Sequence, residues 1–148
     1  MTERRHMPDE RHGHTDRLVI LGEKIIEYCP HCGGVTKIKD TSCKGYVTTN
    51  AFDDGTPGEV FVMLAQQTGE TRRGLMSCLA LSWSLCLQFG VPFKLLYEKF
   101  AGQKFEPFGY VTGCEGVKQT KSIVDLIFQW LATKYPNELK QKEGDGHE

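Results

Sequence analysis

The sequence has no excess of either sign of charge. Eighteen lysines and arginines face nineteen aspartates and glutamates, for a formal net charge of -1. That balance gives no electrostatic ground for a nucleic acid or an anionic membrane as partner. There is also no apolar run long enough to cross a bilayer. The charged start, Met1-Thr2-Glu3-Arg4-Arg5-His6, leads into no apolar h-region, so no signal peptide is expected and the expected location is cytoplasmic. A second Cys-x-x-Cys motif is missing too, so a four-thiolate zinc ribbon is not spelled out locally. At 148 residues the chain has room for one domain with a respectable core. Its apolar fraction of 39% and charged fraction of 25% are ordinary for a globular protein.

What is present reads as strands first and helices after. Residues 1–16, polar and rich in Arg and His, read as an extended or partly disordered arm. Leu18–Leu21 and Ile25–Tyr28 are short strand candidates. Tyr46–Phe52 is rich in β-branched and aromatic residues. Asp53-Asp54-Gly55 then signals a hairpin, and Glu59–Leu64 returns as a strand. The unbroken run Val60-Phe61-Val62-Met63-Leu64 lacks alternation, which predicts a strand covered on both faces. Leu75–Phe89 carries an apolar stripe at helical spacing, with Gly90 as its stop. Pro92 suits the first turn of a second helix bearing Leu95, Leu96 and Phe100. Gly102–Gly116 is a glycine-rich loop. A third helix is predicted from about Gln119 to Lys134, with Ser122 and Asp125 resembling a capping box and Pro136 ending it. Residues 137–148 read as a loose charged tail. The fold class is α+β: an antiparallel sheet of three to four strands with three helices on one face.

The sharpest local signal is Cys29-Pro30-His31-Cys32-Gly33-Gly34. Two sulfurs three residues apart on a tight turn suit a zinc knuckle, with Cys43 at zinc-ribbon distance. Cys114, in the glycine-rich loop, is the leading fourth ligand, and His12, His14 or His31 are substitutes. The same pair also suits thiol redox chemistry, because His31 nearby favours thiolate. A plain hairpin loop is the third reading. Cys78 and Cys86 lie in an apolar segment and read as small hydrophobes. In the loop Phe105-Glu106-Pro107-Phe108-Gly109-Tyr110, the aromatics could form a binding lip or plug the core. Trp83 and Trp130 read as core. Arg72, Arg73 and Glu59 read as solvated charges, and Asp125 as a cap or a residue of the polar helix face.

Several segments, in order, resemble one family. Met7-Pro8-Asp9-Glu10-Arg11, Gly45-Tyr46-Val47-Thr48 and Asp54-Gly55-Thr56-Pro57-Gly58-Glu59-Val60-Phe61 are similar to elements of the C-terminal region of adenosylcobalamin-dependent (class II) ribonucleotide reductases. So are Gly74-Leu75-Met76-Ser77, Leu87-Gln88-Phe89-Gly90-Val91-Pro92, Phe105-Glu106-Pro107, Lys121-Ser122-Ile123-Val124-Asp125 and Phe128-Gln129-Trp130-Leu131. These span roughly residues 5–136, and the region is related to the TSCPD domain. Two departures stand out. Ile123 and Val124 replace the Cys and Pro of the namesake motif, and residues 28–44 form a cysteine-bearing insertion between two strands.

The resemblance implies a domain over residues 17–136 and an accessory role. The chain has no room for the catalytic barrel that carries the reductase's radical and cobalamin chemistry, so the resemblance leaves open whether it is an enzyme by itself. It would dock on a separate reductase chain, with Phe105, Glu106, Pro107, Phe108 and Asp125 as candidate contacts, or bind a nucleotide. Adenosylcobalamin would then be reached only through the partner chain. Two alternatives remain: a redox relay through Cys29 and Cys32 feeding a reductase, and a repurposed zinc domain ligated by Cys29, Cys32, Cys43 and Cys114.

Overall fold

The computed structural model describes residues 3–22 and 24–140. Its elements, in order, are β1 (His12–Ile20), β2 (Lys24–Tyr28), β3 (Val35–Asp40), β4 (Cys43–Ala51), β5 (Pro57–Leu64), α1 (Glu70–Gln88), α2 (Phe93–Phe100), β6 (Gly109–Thr112), β7 (Gln119–Thr120) and α3 (Ile123–Lys134). A five-stranded antiparallel sheet runs in the order β5-β4-β1-β6-β7, and β2-β3 form a separate two-stranded sheet. The α+β class and the three α-helices hold. The main sheet is larger than the three to four strands expected, because the glycine-rich segment after α2 supplies β6 and β7.

Alternation decides which face of the sheet is covered. Along β4, Cys43, Gly45, Val47 and Thr49 point inward, and the residues between them point out. Leu18 and Ile20 of β1 and Val60, Val62 and Leu64 of β5 complete the inner face. Against it α1 lays Met76, Ala80, Trp83 and Leu87. α3 contributes Leu126, Ile127, Trp130 and Leu131, all at most 1% exposed. The centre is aromatic: Phe128 meets Trp83 edge-on at 4.8 Å and stacks with Phe100 at 5.4 Å. Such pairs add to the burial term. Trp83 and Trp130 are therefore core, as expected.

The hairpin after β4 forms where the Asp-Gly pair predicts it. Gly55 takes φ +86°, and its N–H donates to the Phe52 carbonyl at 2.9 Å. The Asp54 carboxylate accepts from the Thr56 N–H at 3.0 Å and from the Thr56 hydroxyl at 2.6 Å. These bonds, followed by the Arg5 guanidinium, hold its pKa at about 2. α1 begins at Glu70 rather than Leu75, since Glu70–Arg73 is polar but suited to a helix. α3 begins at its cap Ser122, whose Oγ accepts the Asp125 N–H at 3.0 Å.

Of the two readings of the arm, the extended one is what His12–Asp16 adopt: they belong to β1, paired with β4 from His12↔Ala51 to Asp16↔Val47. Ahead of it, Arg5 stacks over the Phe52 ring at 3.8 Å and pairs with Asp54 at 2.8 Å, and Arg4 donates to Gln88 at 2.7 Å. The expected covering of β5 on both faces gives way, since Phe61 is 48% and Met63 68% exposed. The expected tail begins with a short 3-10 turn over Pro136–Leu139. Residues 141–148 of that expectation lie outside the described residues. No helix among the described residues is long and apolar enough to cross a membrane.

Candidate functional site

The cysteine motif sits at the tip of the β2–β3 hairpin. The strands pair from Lys24↔Asp40 at the base to Tyr28↔Val35 near the tip. The turn is closed by Cys29 N–H to the Gly34 carbonyl at 2.7 Å and Gly33 N–H to the Cys29 carbonyl at 2.9 Å. Gly33 takes φ +71°, a conformation only glycine adopts without cost. Cys32 and His31 are exposed, while Cys29 is half-buried. The Cys32 N–H, then the His31 N–H and the Cys32 side chain, hydrogen-bond the Cys29 sulfur and pull its pKa below the ordinary thiol value. Desolvation acts weakly the other way. Cys29 is thus the activated thiol of an adjacent pair.

The other proposed ligands are elsewhere. Cys43 opens β4, three residues beyond the base of the hairpin, paired with Ile20 and 5% exposed. The length of β2, five residues, separates tip from base by roughly 16 Å. Burial raises the Cys43 pKa, with Arg72 opposing. Cys114 lies beyond β6, 4% exposed, with its sulfur 3.8 Å from the Arg17 carbonyl. Burial first, then the Asp16 charge, pushes its pKa up to about 11, with Lys134 opposing. His12 and His14 are on β1, opposite Ala51 and Thr49. The set Cys29, Cys32, Cys43 and Cys114 is not brought together. Among the described residues no three His, Cys, Asp or Glu side chains converge on a metal position.

The candidate contact residues also divide. Phe105 and Phe108 are exposed by 45% and 48%, with Lys104 over the Phe108 ring at 5.0 Å. Glu106 is exposed, Pro107 is half-buried, and the peptide between them is cis. These four form an open lip. Asp125 does not join them, because it is 4% exposed and its contacts are internal. Its carboxylate accepts from the N–H groups of Gly102 at 2.7 Å and Lys121 at 2.9 Å, and from the Gln129 side chain at 2.6 Å. It organises the loops before α3 and has no free face for a partner.

A hollow of about 540 Å³ is lined by Arg11, His12, His14 and Lys134, among others. It does not single out a nucleotide. Arg11 is already paired with Glu59 at 2.5 Å, and the carbonyl end of α3 faces the same region. That pairing also shows Glu59 to be a buried partner of Arg11 rather than a solvated charge.

Sequence reading passed over the sheet's outer face. Tyr46 and Met63 stand directly opposite each other on β4 and β5, with Phe61 two pairs along on the same face, opposite Thr48. All three are about half exposed or more, at 54%, 68% and 48%. Together they leave an exposed apolar patch on the outer face of the sheet. The unbroken apolar run of β5 was the available signal, but a run alone does not say what covers it.

The chain's similarities follow the same outline. Its residues 29–135 match the TSCPD domain. It is 33% identical over 135 residues to a vitamin B12-dependent ribonucleotide reductase of Bradyrhizobium diazoefficiens, covering 91% of this chain and 9% of that protein. It is 36% identical over 121 residues to one of Streptantibioticus cattleyicolor, covering 76% of this chain and 20% of that protein. The Agrobacterium fabrum reductase shares 33% over 133 residues, or 90% of this chain and 9% of its own length. The chain thus spans about a tenth to a fifth of the length of these relatives. No solved structure matches. With most of its length matched by the family's pattern, the chain belongs to the TSCPD domain family and is related to the C-terminal region of vitamin B12-dependent ribonucleotide reductases.

Proposed function

We propose that this domain is an accessory module of the vitamin B12-dependent ribonucleotide reductase system, serving deoxyribonucleotide synthesis without catalysing it alone. The observation that carries this reading is the open outer face of the sheet at Tyr46, Phe61 and Met63 on a domain whose relatives are reductases. The face contacts a catalytic reductase chain, and the lip at Phe105 and Phe108 is a second point of contact. Adenosylcobalamin is held by that chain. The expected setting is the reducing cytoplasm, in keeping with six cysteines left as free thiols.

The test is binding to a vitamin B12-dependent reductase chain from the same organism, measured by biolayer interferometry. Phe61→Ser with Met63→Ser should weaken association at least about tenfold, roughly 1.4 kcal/mol, while circular dichroism stays unchanged. Absence of any association by the unmodified domain sinks the reading.

The geometry of Cys29 and Cys32 favours a second role within the same system. The adjacent, activated pair can cycle as a dithiol. Forming the Cys29–Cys32 disulfide releases two electrons and two protons to an oxidised disulfide on the reductase, and an external dithiol restores it. Zinc remains a competing use of the same two sulfurs, with the other two ligands supplied by another chain. Zinc content and free-thiol counts, measured on reduced protein with and without the reductase chain and on Cys29→Ser, separate the two. One tightly held zinc lost with the substitution rules out the relay, and a reversible two-thiol change without zinc rules out the metal.

A further inference from the structure

The outer face of α1 carries a pattern that the proposed reductase contact touches only at its edge, at Met63. From Gly74 to Phe89 the helix has no charged residue. Its inner side is core, as described. Its outer side nonetheless leaves Leu75 66%, Leu81 54%, Leu85 38% and Phe89 45% exposed. A helix that is apolar all round is normally covered all round.

The outer residues form two adjacent ridges at four-residue spacing. One ridge is small: Gly74, Cys78 and Ser82, all exposed. The other is large: Leu81, Leu85 and Phe89. The small ridge occupies the N-terminal half and the large ridge the C-terminal half. Each small residue lies as far before the midpoint between Leu81 and Ser82 as one large residue lies after it, or the reverse. A two-fold axis through that midpoint, perpendicular to the helix, therefore sets large against small at every step. Phe89 meets the partner's Gly74, Leu85 meets the partner's Cys78, and Leu81 meets the partner's Ser82. A shallow crossing of about 20°, the arrangement of helices packed along their length, keeps all three steps in contact.

A hollow of about 270 Å³ opens at the receiving end, lined by Met63, Leu64, Glu70, Arg73, Gly74 and Ser77. The hollow is open and its rim carries Glu70, Arg73 and Ser77, so it leaves space beside Gly74 for the Phe89 ring without enclosing it. Gly74 has nothing within 4 Å of where a Cβ would stand, which leaves its surface open to that ring.

We infer that α1 is the interface of a homodimer, packed antiparallel on the same helix of a second copy of this chain. The pattern is self-complementary, as a two-fold contact requires. The face from Gly74 to Phe89 carries no charge, and the charges beside it, Glu70 and Arg73, sit at the open hollow at its end. The exposed stretch from Gly74 to Phe89 is roughly 24 Å long. One helix face of that length is at the low end of specific interface sizes, so the dimer forms at micromolar rather than nanomolar concentration.

The test uses the full chain alone, so its outcome is independent of any reductase. Sedimentation equilibrium at tens of micromolar should give twice the 16.7 kDa chain mass, and Leu85→Glu should raise the dissociation constant at least about tenfold without changing the circular dichroism. A crosslink gives an independent reading. Leu85→Cys places a thiol against the partner's Cys78, while within one helix these positions are roughly 10 Å apart, too far for a disulfide. Mild oxidation should then yield a covalent dimer that disappears when Cys78→Ser is added. A monomer at every concentration, or a crosslink indifferent to Cys78, overturns the inference. So does a monomer whose Leu85→Glu form loses reductase binding, since the face would then belong to the reductase.

Discussion

Asp125, in the first turn of α3, ties down a loop that begins twenty-three residues before it: its carboxylate accepts the Gly102 N–H at 2.7 Å. The same side chain holds Lys121 N–H, the Thr120 hydroxyl and the Gln129 amide, while its own N–H donates to Ser122 Oγ. One buried carboxylate thus fixes the turn after α2, the approach to α3 and the cap of α3 together.

Removing it leaves several buried donors without partners, and each orphan carries a desolvation penalty. Asp125→Ala should destabilise the domain by about 2–4 kcal/mol. Asp125→Asn keeps one acceptor and should cost less. Urea unfolding of both variants checks the order. A loss within about 0.5 kcal/mol for Asp125→Ala would mean that water replaces the network.

The cysteines should separate by reactivity. Cys29 is held below the ordinary thiol pKa, while Cys43 and Cys114 are held above it by burial. Only thiolate reacts quickly. At neutral pH iodoacetamide should label Cys29 first, and should leave Cys43 and Cys114 untouched until denaturant is added. Peptide mapping by mass spectrometry over time reads this order. Early labelling of Cys114 in native protein would contradict its buried placement.

Cys114 also sets an alkaline limit. Its folded pKa of about 11 lies above the ordinary 9.0, so the folded state prefers the protonated thiol. The stability tied to that preference is complete below about 9 and drains away as pH rises toward 11. Tyr135, raised by burial against its hydrogen bond to Thr49, shifts in the same direction. The melting temperature should therefore fall between pH 9 and pH 11, and Cys114→Ala should flatten part of that fall. An unchanged melting profile in Cys114→Ala would remove Cys114 as the cause.

Much of the fold was legible in order. The Asp-Gly pair announced the β4–β5 hairpin, the apolar stripe announced α1, and Ser122 with Asp125 marked the cap of α3, although the helix was expected from about Gln119, where the structure has β7. These signals are local: a turn needs a left-handed position, a helix needs its periodicity, and a cap needs an oxygen near free N–H groups. The arm's place in the sheet was not legible for the opposite reason. His12–Asp16 is polar and has no strand signature of its own. It becomes a strand because β4 offers an unpaired row of backbone groups beside it.

The site divides along the same line. Spacing placed Cys29 and Cys32 on one turn correctly, because three residues can close only a short distance. Spacing could not place Cys43 or Cys114, since Cys43 follows the strand that carries it and Cys114 follows the loop beyond β6.

The sequence by itself determined the family, the α+β class, the paired thiols and the uncharged length of α1, because these depend on residue order and short-range geometry. Only the tertiary structure decided that Cys43 and Cys114 are core, that Asp125 faces inward, and that Phe61, Met63 and the outer side of α1 are left open. Those facts depend on which surfaces remain once sheet and helices have covered one another, and no stretch of sequence contains that subtraction.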